Sequence, residues 1–182
     1  MRRSRIYTAQ ALASNGTVEL GDNAGHYLTR VLRQAISDPV TLFNGDGRDY
    51  DGEICSIESD RVSVSVGNSR AVDTESRLKF TLGQAVSRGE RMDYSLQKAV
   101  ELGVNCIQPV TSRRVEVRLD QKKQAKRLGH WQGVVVSACE QSGRAVVPDV
   151  RSACTLAEYL SLDCDASRLV LAPGAEQTLS RL

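Results

Sequence analysis

The sequence predicts an α/β chain in two parts, a small β-barrel over 1–72 and a parallel α/β unit over 73–182. Three observations carry this reading. Arg61-Val-Ser-Val-Ser-Val66 alternates strictly between apolar and polar residues, the period of a half-buried strand. Residues 78–110 read as strand, helix, strand, and a unit of that kind calls for parallel strands joined by a right-handed crossover. Between them, residues 67–77 are polar and aperiodic, so the boundary is placed there.

In the first part, Asp22 is an expected N-cap for a helix running to about Arg33. Ala24, Leu28, Val31 and Leu32 fall on one side, and His26, Arg30 and Arg33 on the other. Pro39–Phe43 reads as a strand, Asn44-Gly-Asp-Gly47 as a turn, Tyr50–Ile57 as a strand and Glu58–Asp60 as a turn. Short strands joined by tight turns suggest closure into a barrel. In the second part, Leu78–Val86 is an expected strand. Ser87-x-x-Glu90 has the spacing of a capping box. Met92, Leu96, Ala99 and Val100 share one face of the helix that follows, and Gly103 ends it. Val104–Val110 is the next strand. Asp120 opens a second helix, with Ala125, Leu128, Gln132, Val135, Val136 and Cys139 near one face and Gly143 at its end. Thr155-x-x-Glu158 opens a short helix, and Arg168–Ala172 is the last expected strand, broken by Pro173-Gly174.

Composition narrows the function. Hydrophobic residues are 41% and charged residues 25%, a globular mixture. No apolar run reaches about 18 residues, so no membrane span is expected. The basic start Met1–Arg5 is not followed by an apolar stretch, so no signal peptide is expected either, and the chain reads as cytoplasmic. The five cysteines form no C-x-x-C pair and there are only two histidines, so reduced thiols are expected rather than disulfides or a metal site. The net charge is only +2, but it is unevenly spread. Arg2, Arg3, Arg5, Arg30 and Arg33 face only Glu19 and Asp22 within 1–33, and a second basic stretch covers 87–130. Localised positive charge is the footprint of a phosphate-binding surface.

With no serine or cysteine triad, no P-loop and no G-x-G-x-x-G, the chemistry falls to arginine, whose planar fork holds phosphate. Ligands of open α/β sheets lie beyond the carboxyl ends of the strands. Those ends should carry Ser87-Arg88, Thr111–Arg114 and Pro173–Glu176, three loops on one edge. Lys122, Lys123, Lys126 and Arg127 sit where cations oppose the helix dipole, which favours a binding role. Glu140-Gln141-Ser-Gly-Arg144 presents an amide, a hydroxyl and a guanidinium together. Lys98 and Glu101 read as a surface pair, and Trp131, the one tryptophan, as a core anchor.

Several motifs in order resemble one family. Arg5-Ile-Tyr7, His26-x-x-x-Arg30-Val-Leu-Arg33 and Leu42-Phe-Asn-Gly-Asp-Gly47 are similar to the N-terminal domain of bacterial 16S ribosomal RNA uridine-N3-methyltransferases. Ser87–Met92, Gln97–Gly103 and Ala138-Cys-Glu-Gln-Ser-Gly-Arg144 resemble the segment that follows. The resemblance implies a PUA-like RNA-binding barrel and a SPOUT-type methyltransferase domain, working as a homodimer with S-adenosylmethionine as methyl donor. It implies methylation at N3 of one uridine of 16S ribosomal RNA in the small ribosomal subunit. The RNA-binding candidates are Arg2, Arg5, His26, Arg30, Arg33, Arg88, Arg91, Arg113, Arg114, Gln141 and Arg144. Pro173, Gly174 and Ala175 are the expected part of the donor site, and no catalytic base is assigned. The family's Gly-Pro-Glu-Gly-Gly and Leu-Arg-Thr-Glu-Thr loops do not occur. The α/β domain is therefore expected to lack its C-terminal trefoil-knot segment, and the chain alone to be inactive. The alternative reading is a non-catalytic RNA-binding fragment.

Overall fold

The computed structural model describes residues 3–59, 61–111, 121–162, 166–172 and 174. Two sheets form. The first comprises β1 (Ser4–Tyr7), β2 (Thr17–Leu20), β3 (Pro39–Phe43), β4 (Arg48–Glu58) and β5 (Arg61–Ala71), ordered β1-β3-β4-β5-β2. β3, β4, β5 and β2 pair antiparallel in succession, and β1 runs parallel to β3. Their inward side chains, Ile6, Val18, Leu20, Val40, Leu42, Ile54, Val62 and Val64 among them, make one buried cluster, as period-2 alternation requires. β5 runs five residues past Val66, because its polar second half still finds backbone partners on Arg48–Tyr50 of β4.

The expected barrel is not there. β1 and β2 stand at opposite ends of the strand order and do not pair, so the first sheet is open, whereas a barrel needs its terminal strands joined. The reason lies at the edge of β1. Its Tyr7 N–H donates to Glu140 Oε1 of the second unit at 3.0 Å, so that edge is covered by a helix rather than by β2.

The helix after β2 also departs from its expected course. Gly21 holds the cap position, α1 spans Asp22–His26, and the chain then widens into a π-helical turn over Tyr27–Val31. The Leu32 N–H donates to Tyr27 O, five residues back, at 2.9 Å. That turn keeps Leu28 buried but swings Val31 out to solvent. Arg33 lies past the helix with φ 54°, so the expected shared face of His26, Arg30 and Arg33 is not a continuous α-helical stripe.

The second sheet has β6 (Thr81–Ala85), β7 (Cys106–Thr111), β8 (Asp149–Val150) and β9 (Cys154–Thr155), all parallel, with β7 pairing each of the others. α2 (Glu90–Glu101) links β6 to β7, and α3 (Gln121–Ser142) precedes β8. Met92, Leu96, Ala99 and Val100 of α2 pack with Trp131, Val135, Ala138 and Cys139 of α3, with Ile107 and with Leu82. Both helices therefore cover one face of the sheet. α4 (Leu156–Ser161) lies on the other face. Its Tyr159 ring sits so close to Gly83 that a Cβ there would lie 2.7 Å from Cε1, and Gly83 points opposite to Leu82.

Gly103 and Gly143 end α2 and α3 at φ 90° and 83°, as their sequence positions imply. The two candidate capping boxes differ. Thr155 and Glu158 form theirs with both reciprocal bonds, and the first turn of α4 is exposed. Ser87 and Glu90 do not form one: Gly89 caps α2 at φ 49°, and the Ser87 hydroxyl donates to Ala85 O. The expected strand Arg168–Ala172 carries no sheet pairing, and Leu169, Val170 and Leu171 are exposed. The short β8 and β9 line β7 instead, and no alternation in two-residue strands could have announced them.

Candidate nucleic-acid interface

The arginine candidates divide into two physical groups. Arg5 and Arg144 are used inside the molecule. The Arg5 side chain is 12% exposed. Its Nη2 and Nε donate to Asp49 Oδ1 at 2.6 and 3.1 Å, and its Nη1 donates to the carbonyls of Cys139 at 2.8 Å and Arg144 at 3.2 Å. The guanidinium also lies 4.1 Å from the Phe43 ring centroid. It thus ties β1 and β4 to the end of α3. Arg144 is 4% exposed. It grips Glu75 with Nε at 3.1 Å and Nη2 at 2.5 Å, and its Nη1 caps the carbonyls of Val100 and Val104 at 3.0 and 2.8 Å. A guanidinium with its fork committed in this way has little left for phosphate.

The second group lies on the surface. His26, Arg30 and Arg33 are exposed on and just past α1 and its π turn. Arg88 is exposed in the loop after β6, which is the carboxyl end of that strand. Arg91 and Gln141 line a broad groove of about 1120 Å³ along the α2–α3 seam. Asn23 of α1 lines the same groove, so both sheets' units contribute to it. Arg2, Arg113 and Arg114 lie outside the described residues, as do Pro173 and Ala175 of the expected donor loop. Gly174 is described and adopts φ 79°.

Among the groove residues that sequence reasoning missed are Tyr94 and His130. Tyr94 projects from α2 and is 63% exposed, the one exposed aromatic among the described residues. The Lys98 ammonium, paired with Glu101 at 2.7 Å, stands 5.6 Å from its ring centroid. His130 of α3 reaches across to Asp93 of α2 at 2.9 Å. The signal for Tyr94 was available: it sits two residues from the buried Met92 and Leu96, off the apolar face. The His130–Asp93 pair depends on how α2 and α3 pack and had no local signal.

Burial shifts the groups behind this surface. The Cys139 thiol is pushed up to about 11 by burial, against the opposing pull of Arg144 and Arg5. Burial also raises the Glu140 carboxyl, with the Tyr7 N–H and the Arg5 charge pulling it back. Neither thiol nor carboxyl is arranged as a nucleophile. Among the described residues, no cluster of His, Cys, Asp and Glu could hold a metal ion, and no helix is long and apolar enough to cross a membrane.

A family model for an RNA methyltransferase PUA domain matches residues 20–67, and one for an RNA methyltransferase domain matches residues 74–182. The ribosomal RNA small subunit methyltransferase E of Buchnera aphidicola from Schizaphis graminum is 31% identical, over 100% of this chain and 74% of its own length. The chain belongs to the ribosomal RNA small subunit methyltransferase E family. The Bacillus subtilis member is 27% identical over 91% of this chain and 64% of its own length, and a second Buchnera member is covered over 58%. Among solved structures, a Legionella pneumophila methyltransferase in complex with bound S-adenosylmethionine superposes with a TM-score of 0.96. It is 34% identical over 100% of this chain and 75% of that one. A Neisseria gonorrhoeae methyltransferase E bound to S-adenosylmethionine gives a TM-score of 0.85 at 41% identity, over 90% of this chain and 67% of that one. The PUA-domain match falls within the segment of the open first sheet, and the methyltransferase-domain match covers the parallel second sheet.

Proposed function

We propose that this protein acts in the S-adenosylmethionine-dependent methylation of N3 of a uridine in 16S ribosomal RNA of the small ribosomal subunit. The observation that carries this reading is the whole-chain likeness to the Legionella structure, which holds the methyl donor. S-adenosylmethionine supplies a methyl group already activated on a sulfonium. Pro173, Gly174 and Ala175 would hold part of it. Gly174 holds φ 79°, a conformation that glycine adopts without strain.

The chain's own residues have two tasks. The first is to hold RNA. Arg30 and Arg33 on one unit and Arg88 and Arg91 on the other present guanidiniums to a ribose-phosphate strand, with the His26 ring beside the first pair. The second is to ease departure of the N3 proton of uracil, a weak acid, by placing positive charge near the developing anion. Arg88, three residues past the carboxyl end of β6, is the candidate for that task. The hydrogen bonds of Arg5 and Glu140 join the units that carry these guanidiniums, which serves orientation rather than acid–base chemistry. A second copy of the chain completes the assembly as a homodimer.

The second reading, RNA binding without catalysis, rests on the same cationic surface. Calorimetry with S-adenosylmethionine separates the two. Saturable binding of the donor supports the enzyme, and tight RNA binding with no donor binding supports the binder alone.

A further inference from the structure

We infer that the α2–α3 groove is a subsite for an unpaired nucleotide of the RNA, with Tyr94 as its stacking platform. The inference rests on the RNA-binding reading above and adds the place and the chemistry.

The groove's charge decides what fits it. Glu90 and Asp93 lie in it beside Arg91 and His130, so its interior carries both signs. A phosphate chain laid along it would meet two carboxylates. A nucleobase is neutral and meets no such cost. Its edge offers donors and acceptors together, and Asn23 and Gln141, both lining the groove, carry amides that provide both. Its flat face calls for a ring. In a chain whose other aromatics are buried or half-buried, Tyr94 alone leaves a large ring in solvent. Single-stranded RNA is read largely by unstacked bases laid on such rings. Arg91, on the same helix as Tyr94, gives the phosphates a place at the rim.

The groove is also roomy where it needs to be. Its volume, about 1120 Å³, lies just above the roughly 300–1,000 Å³ usual for small-molecule sites. Gly129 and Gly133 of α3 line it, and a Cβ at either would meet nothing within 4 Å among the described residues. A side chain added there would project into the groove without disturbing the core.

The test is binding of a short fluorescent oligouridylate to the whole protein, followed by anisotropy. Tyr94→Ala should weaken binding by about five- to a hundredfold, the worth of one stacked base, with the salt dependence of wild type. Tyr94→Phe, which keeps the ring, should bind as wild type. Gly133→Leu should block the groove while raising the melting temperature, because glycine is a poor helix former. A duplex of the same length should not distinguish these variants. Wild-type affinity in both Tyr94→Ala and Gly133→Leu would overturn the subsite while leaving RNA binding elsewhere intact. A wild-type protein that binds no RNA would instead overturn the reading beneath it. A change in sedimentation in place of a change in binding would assign the groove to contact between copies of the chain and overturn the subsite.

Discussion

Replacing Arg5 by methionine removes the guanidinium that joins the two sheets' units. The loss can be worked from its contacts. Asp49, whose side chain is 8% exposed, would lose the 2.6 and 3.1 Å bonds from Arg5. Among the described residues it would keep only the Arg70 contact at 3.2 Å, and Arg70 is 75% exposed. The carbonyls of Cys139 and Arg144 would lose their donor as well. Removing one partner of a buried pair costs about 3–5 kcal/mol. The remaining solvated Arg70 places the expected value at the lower end, about 3 kcal/mol. In a chain of this size that is a fall in melting temperature of roughly 6–12 °C. Urea unfolding of wild type, Arg5→Met, Asp49→Asn and the double variant forms the cycle that isolates the pair. The double variant should recover at least about 1 kcal/mol relative to additivity, because it leaves no orphaned charge. The reasoning is refuted if Arg5→Met keeps wild-type stability and loses RNA affinity, for then Arg5 holds phosphate and not the junction.

Three other outcomes follow from the same geometry. Glu140 titrates above its ordinary 4.5 in the folded chain, so its contribution to stability is full at low pH and falls as pH rises through the folded value. Glu140→Gln keeps an oxygen for the Tyr7 N–H and should remove that falling step, matching or exceeding wild-type stability at neutral pH in thermal melts. A marked loss would show that the charge beside Arg5 is needed. The exposed Cys55 should react with iodoacetamide at pH 8 while the buried Cys139, pushed up to about 11, stays unmodified; mass spectrometry of tryptic peptides reads both. Replacing Arg30 and Arg33 together by alanine should flatten the log–log salt dependence of RNA binding by about 1.4 for a single strand, with little change in melting temperature. A large drop in melting temperature would make the pair structural.

Where the sequence spoke through periodicity, it was readable. The strict alternation of Arg61–Val66, the apolar face Met92–Val100 and the glycines after α2 and α3 each placed an element correctly. What it could not show depended on partners far along the chain. The open first sheet follows from Glu140 covering the edge of β1, a contact across 133 residues. The π turn at Tyr27–Val31 leaves no mark in a pattern read at 3.6 residues per turn, which is why Val31 was misplaced. Arginine type alone did not separate Arg5 and Arg144, whose forks are spent inside, from Arg88 and Arg91 on the surface. The site was legible as basic segments. Its aromatic platform was not, because a lone tyrosine off an apolar face looks like any exposed residue until the groove beside it is seen.

The most direct trial of the whole account is transfer of a labelled methyl group. The protein is incubated with tritiated S-adenosylmethionine and small ribosomal subunits that lack the modification, and the labelled site is mapped by the reverse-transcription stop that an N3-methyluridine causes. The account predicts label in 16S ribosomal RNA at one uridine, with a single new stop, once the chain carries the Gly-Pro-Glu-Gly-Gly and Leu-Arg-Thr-Glu-Thr loops of its family. Firm RNA binding with no incorporated label, or label on a different atom of the base, would contradict it.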